Sequence, residues 1–119
     1  MITFERALSE WLKKETNASI GAYLKNNTVQ VNLQSAADLN RWQIMGTFAV
    51  VANYSDKLSA SLAFETMRKA MTDLRNKQGI NTVYMLDCNA VPTETTGEWQ
   101  YQGLFQIRYR VRDSWSIQG

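Results

Sequence analysis

The chain has 119 residues, 45% of them hydrophobic, which suits one globular domain and argues against disorder. Thirteen basic and eleven acidic residues leave a net charge of +2, too even a balance for nucleic-acid binding by bulk charge. With no histidine and a single cysteine, Cys88, the chain lacks the commonest general base, any Ser–His or Cys–His nucleophile pair, a thiolate zinc cluster and an internal disulfide.

The first predicted element is a helix over residues 3–14, where Phe4, Ala7, Leu8, Trp11 and Leu12 recur at helical spacing on one stripe. Thr3 suits its N-cap, and Lys13 and Lys14 suit its last turn. Glu5 and Glu10 within this amphipathic segment do not fit a signal peptide, and no run approaches the roughly 20 apolar residues of a membrane span. Residues 17–27 read as a loop around Gly21, with a short strand over Ile20–Leu24. Thr28–Leu33 alternates Val29, Val31 and Leu33 with polar residues and reads as a strand; Ser35–Asn40 reads as a polar turn. A long strand is expected over Trp42–Tyr54, with Trp42, Ile44, Phe48, Val50, Ala52 and Tyr54 on one face. Gly46 among them marks a bulge or a close backbone approach.

Residues 57–77 carry a broad helical apolar face of Leu58, Leu62, Phe64, Met67, Met71 and Leu74. Ser55 or Asp56 can cap its start, and Gly79 follows its end. Thr82–Cys88 reads as a third strand with Val83, Met85 and Asp87 on one face, and Cys88 as a small buried hydrophobe. Asn89–Gly97, which holds Pro92, reads as a connecting loop. Every second residue from Trp99 to Val111 is apolar or glycine, which predicts one strand with a wet and a dry side. At about 3.3 Å per residue it would reach roughly 43 Å. A strand of that length is expected to overrun its own domain and to pair with another subunit. The result is one α+β domain over 1–119, with a C-terminal tail at 113–119. An antiparallel sheet of about four strands packs against two helices in the order α-β-β-α-β-β.

No constellation in this order carries catalysis. Glu94, Glu98 and Asp87 read as solvated acids, and no glycine-rich phosphate loop follows a strand. Arg108, Arg110 and Arg112 alternate opposite the aromatic stripe. They read first as a charged face that blocks unwanted strand pairing, and second as a contact for nucleic acid or an acidic partner. Trp115 and Ile117, in the tail, either pack back onto the chain's own core or dock into a neighbour.

The helix Phe64-Glu-Thr-Met-Arg-Lys-Ala-Met-Thr-Asp-Leu-Arg is followed by Gly79, a strand and a Pro-containing loop. Next comes Gly97-Glu-Trp-Gln-Tyr-Gln-Gly-Leu-Phe-Gln-Ile-Arg-Tyr. This layout resembles the tail terminator and minor capsid (head–tail joining) proteins of long-tailed bacteriophages. The resemblance implies a non-enzymatic virion protein, made in the host cytoplasm, that needs no cofactor or metal and touches no membrane. It implies a hexameric ring that caps the tail tube, meets the head connector, and lets DNA through its lumen without sequence recognition. Contacts in that family lie in loops and strand ends, which here are Asn89–Gly97, Ser35–Arg41 and the ends of the two long strands. The interface candidates are therefore Arg41, Pro92, Glu94, Glu98, Arg108, Arg110, Arg112, Trp115 and Ile117. Three other readings remain open: a tail-tube or connector subunit, a small nucleic-acid-binding α/β domain, and an enzyme of unrecognised type.

Overall fold

The computed structural model describes residues 1–21, 27–92 and 97–117, and side chains for all of these except 88–92. Helix α1 spans Phe4–Thr16; the Thr3 hydroxyl oxygen accepts from the Arg6 N–H at 3.2 Å, and Asn17 ends the helix at φ 57°. Helix α2 spans Lys57–Asp73; the Asp56 carboxylate accepts from the Ser59 N–H at 2.9 Å and its hydroxyl at 2.8 Å. A 3-10 turn, Leu74–Asn76, closes α2 before Gly79 reverses the chain at φ 87°. The regular helix therefore stops short of the expected residue 77.

Strands β1 (Thr28–Asn40), β2 (Gln43–Tyr54), β3 (Ile80–Pro92) and β4 (Trp99–Arg110) form one antiparallel sheet in the order β1-β2-β4-β3. Strands β2 and β3 run parallel with β4 between them, so α2 serves as the crossover that such a pair requires. Both helices lie on one face, the α+β arrangement expected. Val29, Val31, Phe48, Val50, Phe105 and Ile107 meet Leu8, Leu12, Met67 and Met71 in a continuous core. Each large side chain buried there is worth about 1.5–3 kcal/mol, which outweighs local propensity.

Several elements depart from expectation. Ser35–Asn40 is strand, not turn: Ser35 pairs with Thr47 and Asn40 with Gln43, although residues 34–40 are exposed on both faces. A segment buried on neither face has no hydrophobic alternation to display, and hairpin hydrogen bonds hold it regardless. Its register shifts between Leu33 and Ser35, where the Glu5 carboxylate of α1 accepts from the Leu33 N–H at 2.6 Å. Strand β3 is likewise longer than Thr82–Cys88 and takes in the start of the expected loop. A register shift between Met85 and Asp87 sends Asp87 to the face opposite Val83. Leu58 and Leu62, assigned to the buried face of α2, are 65% and 59% exposed; Ala60 and Ala70 are buried instead. Trp42 sits in the β1–β2 turn, 62% exposed, outside β2.

Strand β4 is paired along its whole length on both sides, from Trp99↔Tyr54 and Trp99↔Pro92 to Arg110↔Gln43 and Tyr109↔Ile80. The unpaired end expected of so long a strand is therefore absent. Its partners are equally long, and the molecule measures 45 × 24 × 23 Å. Of the strand expected near Ile20–Leu24, Ile20 forms one parallel bridge with Val29, and residues 22–24 lie outside the described residues.

Candidate assembly surface

Alternation along β4 places Phe105, Ile107 and Tyr109 under the helices and Gln106, Arg108 and Arg110 on the open face of the sheet. Arg108 lies in register between Met45 of β2 and Thr82 of β3. Its Nε is buried and has no hydrogen-bond partner among the described residues. One step along, Arg110 pairs with Gln43, which pairs with Asn40. These three and Asn81 line a cleft of about 460 Å³, with Trp42 at its rim. The Asn40 Oδ1 accepts from the Trp42 N–H at 2.8 Å, which holds the turn, and the Arg41 guanidinium lies 5.2 Å from the Trp42 ring centre. Two guanidiniums thus stand on one face. The ion pairs found among the described residues, Arg6–Glu10 and Arg68–Glu65, lie on the helices.

Arg112 does not continue the row. The chain leaves β4 after Arg110, and the Arg112 guanidinium stacks over the Trp115 ring at 4.3 Å, beside Gly79. Trp115 is 3% exposed. Its ring meets Phe4 edge-on at 4.8 Å, its indole N–H donates to the Arg110 carbonyl at 3.1 Å, and its backbone N–H donates to Ile2 at 2.8 Å. The tail therefore packs back onto the chain's own core, and Ile117 is half-buried against the same cluster. Arg41 is exposed beside the cleft, whereas the Glu98 carboxylate lies at the opposite end of the sheet and accepts from Asn53 Nδ2 at 2.7 Å. Pro92 closes β3 opposite Trp99. The side chains of Pro92 and Cys88, and the whole of Glu94, lie outside the described residues.

The sequence reading took in Asn40 within Ser35–Arg41 and Trp42 at the end of a long strand, but singled out neither, and passed over Gln43 and Asn81. The signal was weak, because three strands and the β1–β2 turn contribute these residues and pairing alone brings them together. The shifted titrations lie off this face. Burial, with Glu5 and Asp38 nearby, pushes the Tyr109 phenol up; the Arg68 guanidinium holds the Glu65 carboxyl below its ordinary value. No group of three or more His, Cys, Asp or Glu able to hold a metal occurs among the described residues. No described helix is long and apolar enough to cross a membrane.

No protein-family model matches the chain, and no curated protein matches it. Among solved structures the fold is similar to a chain of the virion of a native gene transfer agent particle. The TM-score is 0.64 with 12% identical residues, and the match covers 91% of this chain and 95% of that one.

Proposed function

We propose that this chain is a non-enzymatic structural subunit of a phage-like virion. Its place is that of a tail terminator: a ring, six copies around, that caps the tail tube and joins it to the head connector. DNA passes through the lumen without sequence recognition. The observation that carries this reading is the fold shared, nearly end to end in both chains, with a component of a gene transfer agent virion. The sheet edges support it: on its outer side β1 is taken at Val29 by Ser19 and Gly21 and at Leu33 by the Glu5 carboxylate, and its 35–40 end lies beyond those contacts. Strands β1 and β3 are the outer strands and run antiparallel to each other. A copy rotated about an axis along the strands can therefore set its β1 edge against β3 and continue the antiparallel order. That is a heterologous contact, the kind that closes rings.

Native mass measurement on the purified chain tests the ring, with a closed hexamer expected; a monomer at high concentration would overturn it. Copy number in purified particles separates the rivals. A tail-tube subunit would be present in many stacked rings, a terminator in one. A nucleic-acid-binding domain would instead bind a labelled oligonucleotide as a monomer, with strong salt dependence.

A further inference from the structure

We infer that the open-face cleft at Arg110, together with Arg108 one same-face step along β4, is a docking site for carboxylates on a second, different protein of the assembly. Two like charges stand on neighbouring same-face positions of β4, and their cross-strand neighbours, Met45, Thr82 and Gln43, offer no negative charge. The Arg108 Nε is shielded from water yet bonded to nothing described, an arrangement that costs stability in the free chain. A carboxylate docked on this face, with the Arg108 side chain turning to uncover its Nε, supplies the missing acceptor and takes both guanidiniums in the planar geometry that suits them.

The surroundings favour protein over nucleic acid. Exposed Trp42 and half-buried Met45 flank the arginines, and aromatic and Arg side chains are the usual anchors of protein interfaces. Tracking a phosphate backbone needs a longer row of cations, but the rest of the open face of β4 is Gln100, Gln102, Leu104 and Gln106, and Asp87 stands opposite Leu104. A different protein is favoured over another copy because a ring built on the β1 and β3 edges leaves this face uncovered. That last step rests on the ring reading above.

The test uses Arg110→Lys, which keeps the charge and adds an amine that a carbodiimide can couple to a touching carboxylate. Complexes carrying the full chain are taken from producing cells and coupled, and the crosslinks are mapped by mass spectrometry. A link from position 110 to an Asp or Glu of a different polypeptide is expected. A link to another copy of the chain, or no link, overturns the proposal. Absence of the chain from particles would sink the virion reading while the crosslink still reports on the cleft. A second variant, Arg108→Met, is expected to melt higher as the free chain and to weaken the mapped complex roughly thirtyfold or more. A lower melting temperature with an unweakened complex would mark Arg108 as structural and overturn its role. Retention of a duplex oligonucleotide by the unaltered chain, lost in Arg108→Met, would assign the site to phosphates instead.

Discussion

A Cβ placed on Gly103 would come within 2.5 Å and 2.9 Å of the Phe64 ring. That ring is 3% exposed and cannot swing clear, so α2 lies as close to β4 as a residue without a side chain permits. Gly103→Ala is expected to lower stability by about 1–3 kcal/mol, the usual cost of overpacking, measured by urea unfolding with an unchanged slope. Gly46 shows the same logic from the sequence side. Glycine within a strand signals either a bulge or a close approach, and the structure chooses the second: register runs unbroken through Gly46, and Phe48 and Tyr109 crowd its face. The composition of the strand could not choose, because the crowding side chains come from ring orientations set by the whole core.

Helix α2 begins at a carboxylate, and that makes its stability depend on acid. Hydrogen bonds from the Ser59 hydroxyl and N–H hold the Asp56 carboxyl below its ordinary value. The unfolded chain takes up this proton first as pH falls. The cap's contribution is therefore complete above the ordinary carboxylate range and is lost as pH drops through the lowered folded value. Asp56→Asn keeps an acceptor at the N-cap and removes the titration. Its thermal stability is expected to fall less steeply than that of the unaltered chain from about pH 5 to about pH 2, followed by circular dichroism. The sequence narrowed the cap to Ser55 or Asp56, because capping is local, and the structure selects Asp56. The exposure of Leu58 and Leu62 was not legible there, because the sheet decides which stripe of a helix is covered, and here it selects the stripe through Phe64, Met67 and Met71.

The terminal segments meet across the whole chain. Ile2 donates its N–H to the Ser114 hydroxyl at 3.1 Å and accepts from the Trp115 N–H at 2.8 Å; behind them Phe4 and Tyr109 stack and Trp115 stands edge-on to both. Truncation after Asp113 removes Trp115 from this cluster. It is expected to cost the isolated chain about 3–5 kcal/mol, the scale for losing a buried tryptophan, seen as an earlier urea midpoint by fluorescence or circular dichroism. Unchanged monomer stability with a lost ring would mean instead that the tail serves a neighbour.

Spacing along the chain was enough to place two helices and four strands in order, the dry face of β4, the Thr3 cap, a second cap at Ser55 or Asp56 and the reversal at Gly79. Each of these rests on residues a few positions apart, so periodicity or a single cap expresses it. Pairing between distant residues settled the rest. It extended β1 through a stretch with no buried face, shifted β3 between Met85 and Asp87, and enclosed β4 between two equally long partners. It also separated Arg112 from Arg108 and Arg110, and gathered Asn40, Gln43, Asn81 and Trp42 around Arg110. A strand records in its own sequence which side is dry, because burial acts on alternate residues. It carries no such record of what lies beside it, because any backbone can satisfy a neighbour's hydrogen bonds.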